Sequence, residues 1–207
     1  NAVDLPNDIL GIYGLEAAAT NNPFISGTRR GLLSFAARAE YNYGSKYYFN
    51  VAGRTDASTV FGANNKWGFF PSVGIGWNAH LEPFLKNVSA LNLMKVRATY
   101  GSVGNEGIAP YQSLSSALQR DYIVNGTKVS GYVPGDFLPN PELKWETSTK
   151  MNAAVDLGFF NNRVTSTIEY YKTRTTDLLI DQALNAGLGY TRKKTNLGEV
   201  ENQGIEF

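Results

Sequence analysis

Apolar and polar residues alternate strictly from Leu33 onward. Leu33, Phe35, Ala37, Ala39, Tyr41 and Tyr43 take one face, and Ser34, Arg38, Glu40 and Asn42 take the other. A period of two over this length predicts a strand, because successive side chains of a pleated backbone point to opposite sides. Gly44, Ser45 and Lys46 read as a tight turn. A second run then sets Tyr47, Phe49, Val51 and Thr55 against Tyr48, Asn50, Arg54 and Asp56, which completes a hairpin with one polar face.

After a loop over Asp56 to Lys66, a third strand places Val73, Ile75, Trp77, Ala79 and Leu81 opposite Ser72, Gly74, Gly76, Asn78, His80 and Glu82. A connector from Pro83 to Asn92 leads to a fourth, with Met94, Val96, Ala98 and Tyr100 opposite Lys95, Arg97 and Thr99. From Gly101 to Pro141 the periodicity disappears, and a connection this long without structure is expected to be functional or disordered. A fifth strand sets Met151, Ala153, Val155, Leu157 and Phe159 against Lys150, Asn152, Ala154, Asp156 and Gly158, and ends at the turn pair Asn161-Asn162. A sixth runs from Arg163 to about Leu179. After a loop over Asp181 to Thr195, a seventh begins near Asn196.

The fold class is therefore all-β, and the connections run short, longer, short, very long, short, long. A transmembrane barrel has short turns at one membrane face and long loops at the other, whereas a soluble sandwich has no reason to sort them. Several strands reach the nine to eleven or so residues that cross a bilayer at a tilt. Tyr41, Tyr43, Tyr47, Tyr48 and Phe49 cluster at the first turn and Phe159 and Phe160 at another, which suits an aromatic belt at the headgroup level. The expected architecture is about seven antiparallel strands of a larger transmembrane β-barrel, with residues 1–30 the end of an extracellular loop. Gly198 to Phe207 alternates up to the last residue, so its strand partner is expected outside the chain.

Charge and composition narrow the chemistry. A net charge of +1 without a Lys/Arg cluster argues against nucleic acid, and the absence of cysteine excludes disulfides, thiolate zinc sites and thiol catalysis. No apolar stretch approaches the ~18 residues of a membrane helix, which is compatible with a barrel because its strands alternate lipid-facing and lumen-facing residues. The polar positions Arg38, Glu40, Arg54, Asp56, His80, Lys95, Arg97, Lys150, Asp156 and Glu169 read as a lumen-facing wall. Two cations on one face of a strand want water. The carboxylates could in principle furnish a glycosidase pair, and the single His80 a Ser-His pair, but no nucleophile motif accompanies them. Neither a catalytic residue, a metal site nor a cofactor is assigned. In the long loop, Tyr111, Arg120, Asp121, Tyr122, Tyr132 and Asp136 are of the types that stack on sugars and grip hydroxyls, or that pack against a partner.

Several segments, in order along the chain, resemble the SusC/RagA branch of the TonB-dependent receptors. They are Arg54-Thr55-Asp56-Ala57-Ser58 with Phe61-Gly62, then Trp67 through Trp77, Glu82-Pro83-Phe84, Val96 through Asn105, Leu138 through Thr147, and Gly198 through Phe207. The resemblance covers most of residues 31–207 and implies part of a barrel of about 22 strands, with the long loop 101–141 outside. The plug domain and the TonB-engaging motif of the family are absent from this chain. The resemblance further implies TonB-dependent import of an oligosaccharide or peptide across the outer membrane, with a SusD-like lipoprotein as the cap. A soluble β-sandwich carbohydrate-binding module and an outer-membrane hydrolase are the alternatives that the residues alone leave open.

Overall fold

A computed structural model describes residues 27–114, 116–185, 187 and 189–207. Most of the expected loop end at residues 1–30 therefore lies outside the described residues. Seven long strands form one antiparallel sheet: β1 (Leu32–Tyr43), β2 (Tyr47–Ser58), β3 (Trp67–Asn78), β4 (Leu91–Asn105), β8 (Glu146–Phe159), β9 (Val164–Thr176) and β12 (Glu199–Glu206), in that spatial order. Neighbours in the sheet are neighbours in sequence except where β4 meets β8 and β9 meets β12. Within those two excursions lie a separate hairpin, β5 (Ala117–Val124) with β6 (Thr127–Pro134), and a small sheet of β10 (Leu179–Ala183), β11 (Arg192–Asn196) and β7 (Phe137–Leu138).

Turn chemistry explains the hairpins. Gly44 and Ser45 both adopt positive φ, 57° and 56°, and Lys46 N–H donates to the Tyr43 carbonyl at 3.0 Å. Two successive left-handed residues match the right-handed twist of the strands they join. Asn125 and Gly126 do the same at the β5–β6 turn, with φ of 50° and 77°. The β8–β9 turn is carried by Phe160, Asn161 and Asn162, all left-handed.

The structure corrects four expectations. Residues 101–141 are not without structure: β4 continues to Asn105, and β5, β6 and β7 occupy much of the rest. The third strand ends at Asn78, and Ala79–Leu81 form a 3-10 turn. His80 therefore leaves the polar face of β3, and its Nδ1 lies 3.3 Å from the Met94 carbonyl. The sixth strand stops at Thr176, where Asp177 turns left-handed at φ 58°, and Leu179 starts a strand of the small sheet. Finally, the β3–β4 connection, residues 79–90, is longer than the β2–β3 connection, residues 59–66, so loop lengths do not sort as cleanly as the sequence suggested.

Candidate functional site

The register gives the sheet two unlike faces. On one, row by row, lie Tyr43, Tyr47, Trp77, Val96, Val155 and Ile168, then Ala39, Val51, Val73, Tyr100 and Met151. Many of these side chains are exposed, Phe35 by 58% and Ile75 by 58%, on a strip many strands wide. A continuous apolar surface of this size demands an apolar solvent or a partner.

This strip does not run level with the register rows. On β1 to β3 it extends upward to Leu33, Ala57 and Trp67, but in the row of Val73, β9 already presents Lys172 and β12 Gln203. At the opposite end it closes with Tyr43, Tyr47 and Trp77 on β1 to β3, whereas on β8 and β9 it continues below that row to Phe159 and Val164. Both edges drift the same way, by roughly one to one and a half residues per strand. At about 3.3 Å per residue and 4.8 Å between strands, that is a strand tilt of about 35–45°, the value for membrane barrels. Aromatic rings sit at both edges: Phe35 stacks on Trp67 at 6.4 Å above, and Tyr43 on Tyr47 at 6.5 Å below.

The lower edge is tied by Glu82, a carboxylate that sequence reading placed on the polar face of β3. It accepts the Tyr47 hydroxyl at 2.5 Å, the Lys46 ammonium at 3.2 Å and the Trp77 indole N–H at 3.3 Å. These bonds, the Tyr47 hydroxyl first and Lys46 next, hold the Glu82 carboxyl below its ordinary pKa. A lowered folded-state pKa adds stability above the unfolded carboxylate value of about 4.3, and that stability is lost as pH falls through the folded value. Glu82→Gln in the full-length protein is expected to reduce resistance to heat unfolding in detergent at pH 7, and the gap from wild type should narrow at pH 3. An equal gap at both pH values would show that the carboxylate's charge contributes nothing.

The other face is polar. Arg97 on β4 bridges Asp156 on β8 at 3.2 Å and Glu169 on β9 at 2.8 Å, and Asn152 donates to Glu169 and Thr167 to Asp156. Arg54 pairs with Asp56 at 2.8 Å, Arg38 with Glu40, and Lys95 lies 5.9 Å from the centre of the Tyr48 ring. Lys150 stands on the same face beside Ser148 and Asn152. Of the ten wall positions expected from sequence, all but His80 share this face by register. Between the charged groups, Ser72, Gly74, Gly76 and Gly101 keep the wall low. Here two shallow hollows of about 510 and 420 Å³ open, the first bordered by Arg38, Arg54, Asp56 and Phe70. A Cβ on Gly74 would press into the Asn50 amide, which would have to turn aside.

Above the sheet the loops build their own core from Val60, Phe61, Phe70, Ile108, Leu143 and Trp145. Trp145 meets Phe61 at 5.0 Å and Phe70 edge-on at 5.5 Å, and its indole N–H donates to the Lys66 carbonyl at 3.0 Å. Two buried polar side chains are tied to this core: Ser113 donates to the Val60 carbonyl, and the Asn140 side chain donates to that of Lys194. Gly62 lies so close to the Pro141 carbonyl that a Cβ there would overlap it. The segments Phe61-Gly62 and Leu143-Lys144-Trp145 thus meet in one place.

The six loop candidates do not come together. Arg120 and Tyr122 share the apolar side of the β5–β6 hairpin with Leu118, Val124, Val129 and Val133, whereas Asp121 and Tyr132 take its other side. Asp121 pairs with Lys128 at 2.8 Å and accepts the Ser130 hydroxyl, and the Lys128 contact first of all lowers its pKa. Tyr111 occupies a turn at φ 70°, and the Asp136 carbonyl receives the N–H groups of Thr191 and Arg192. Among the described residues no group of three or more His, Asp or Glu is placed to hold a metal.

Residues 3–207 match the family model for the TonB dependent receptor-like β-barrel. The chain is 40% identical over 176 residues to TonB-dependent receptor P3 of Formosa agariphila, covering 85% of this chain and 18% of that protein. It is 36% identical over 190 residues to TonB-dependent receptor SusC of Bacteroides thetaiotaomicron, covering 87% of this chain and 18% of that one. The structure of the RagAB peptide importer in its open-open state superposes with a TM-score of 0.76 at 28% identity, over 85% of this chain and 19% of the solved chain. The chain thus spans about a fifth of the length of these relatives.

Proposed function

Since the chain belongs to the TonB-dependent receptor family of outer-membrane β-barrels, we propose that it forms seven strands of the wall of a plugged barrel that imports a bulky nutrient. The observation that carries this reading is the two-faced sheet: a tilted apolar belt edged by aromatics on one side, and the Arg97–Asp156–Glu169 network with its neighbouring hollows on the other. The belt faces lipid and the polar face lines the lumen. A charge on a wetted wall costs little, whereas one in hydrocarbon costs several kcal/mol by most scales. The end carrying the loop core and the β5–β6 hairpin is the outside, because outer-membrane barrels turn tightly on the periplasmic side.

In this reading a SusD-like lipoprotein caps the loop end, the TonB complex drives the cycle through parts of the protein beyond these strands, and the cargo is an oligosaccharide or a peptide. Relationship to SusC and RagAB supports the cap, and the similarity to RagAB, a peptide importer, supports peptide as one of the two cargo classes. The Tyr111, Arg120, Asp121, Tyr122, Tyr132 and Asp136 set divides accordingly: the apolar side of the hairpin, with Tyr122 and Arg120, is a surface for the cap, and Asp121 and Tyr132 address the cargo. The test is uptake. Cells lacking the full-length receptor should stop accumulating labelled oligosaccharides or labelled peptides, whichever is the cargo, and cells lacking TonB should behave the same way. Undiminished uptake of both classes would overturn the proposal.

A further inference from the structure

On the apolar face, at its upper edge, β8 and β9 enclose a cleft of about 320 Å³ lined by Tyr100, Thr149, Met151, Lys172, Arg174 and Thr176. We propose that this cleft holds the phosphate-bearing headgroup of a lipid of the outer leaflet, with the acyl chains running down the belt below it. The proposal rests on the outward orientation of the apolar face and the loop-end-outside topology argued above.

Three observations converge. By register, Tyr100, Met151 and Lys172 form one row and Thr149 and Arg174 the next, so both cations point to the face that meets lipid and not to the polar wall. They stand where the belt ends on these strands: below them come Ala153, Tyr170, Val155 and Ile168, and the cleft itself has an apolar floor in Tyr100, exposed by 52%, and Met151, exposed by 42%. Basic side chains at this depth meet headgroups, where a phosphate can satisfy them.

The third observation is how the cations are held. Glu201 lies 2.9 Å from Lys172 Nζ, and Glu199 accepts Arg174 Nε at 3.1 Å and Nη2 at 2.6 Å. One carboxylate thus takes one proton of the ammonium, and the other takes one edge of the guanidinium. An ammonium has three donors and a guanidinium five, so each cation keeps N–H groups for a further acceptor. The carboxylates fix both long side chains at the lip of the cleft, which removes much of the rotamer entropy that a phosphate would otherwise have to freeze. Thr149 lines the same cleft, and its side chain adds a hydroxyl donor to the set.

The experiment uses the full-length receptor in mild detergent, incubated with phosphorylated lipid A or with the same lipid enzymatically dephosphorylated, and read by native mass spectrometry. Wild type should retain the phosphorylated form at least tenfold better than the dephosphorylated one. Lys172→Gln/Arg174→Gln should lose that preference. Should the double cation variant fail to assemble, the single variants Lys172→Gln and Arg174→Gln, each expected to weaken retention by about threefold, decide the matter. Equal retention of the two lipids, equal retention by wild type and the cation variants, or complete displacement of lipid by inorganic phosphate would each overturn the proposal. Single cysteines at Thr127 and Ser45, placed in a full-length receptor otherwise free of cysteine, report the topology separately. Only Thr127→Cys should react with an impermeant maleimide on intact cells, and the reverse pattern would sink the orientation and, with it, the outer-leaflet assignment.

Discussion

Leu143→Ala in the full-length receptor is expected to destabilise the loop core by about 3 kcal/mol while leaving the strands of the wall assembled. Leu143 has no exposed surface and is among the largest fully buried side chains of the described residues. Buried Leu→Ala changes cost about 2–5 kcal/mol, the lost transfer energy plus the cavity left behind. The loop core is small, six buried side chains from three connections and the top of β3, so one cavity removes much of what holds it. The strands below are closed by continuous backbone ladders that do not depend on it. Hydrogen exchange in detergent micelles should therefore show amides of residues 59–66 and 106–114 losing protection about a hundredfold, while β4 and β8 exchange as before. Leu143→Met, which conserves volume, should cost less than about 1.5 kcal/mol. Unchanged loop exchange in Leu143→Ala would mean that the loops are held by something other than this core.

If the loop end receives cargo and cap, that core matters to function because it sets the positions of everything attached to it. The β5–β6 hairpin leaves from Ser113, whose hydroxyl is tied to Val60, and returns to Asn140, whose side chain is tied to Lys194. Asn196 does the same for the second excursion, donating to the carbonyls of Lys144 and Asp177 while accepting the Lys144 N–H. Each loop thus springs from a hydrogen-bonded anchor, buried at Ser113 and Asn140 and half-buried at Asn196.

How much of this was legible in the sequence differs by element. The seven-stranded sheet was legible, because its strands carry an apolar and a polar face and write that difference as a period of two. The start of β3 was not: Trp67, Gly68, Phe69, Phe70 and Pro71 do not alternate, since Phe70 turns toward the polar face to fill the loop core while Trp67 and Phe69 join the belt. Its end misled in the opposite way. Ala79 and Leu81 continue the apolar alternation, but Glu82 is drawn back to Lys46, Tyr47 and Trp77, and the chain turns to reach it.

The β5–β6 hairpin carries one local signal, the pair Asn125-Gly126, whose two positive φ values suit a tight hairpin turn. Arg120 and Ile123 interrupt the alternation of the strand before it, so the pattern alone reads as loop. The cleft at Lys172 and Arg174 could not be read at all from one strand. Both residues continue the alternation of Ile168 and Tyr170, and only the register with Tyr100 and Met151, together with the drift of the belt, shows that they mark its edge.

That drift makes the strongest demand on the barrel reading. If the belt faces hydrocarbon, its centre on β8 is Val155, midway between Met151 and Phe159 and paired with Val96 and Ile168. Val155→Arg should then cost about 2–4 kcal/mol, the penalty for an arginine near the bilayer midplane on the lipid side of a barrel strand. Thr167→Arg places the same residue one row away on the opposite face, where Thr167 already donates to Asp156 and where Asp156 and Glu169 both pair with Arg97. A second guanidinium there answers two carboxylates, so its cost should stay below about 1 kcal/mol. Reversible unfolding of the two full-length variants in bilayers would measure the difference, and the heat-resistant fraction recovered from outer membranes would follow it, low for Val155→Arg and near wild type for Thr167→Arg. Equal costs would mean that the apolar face meets protein or water and not lipid, because only hydrocarbon separates two positions so close in the same ladder by several kcal/mol.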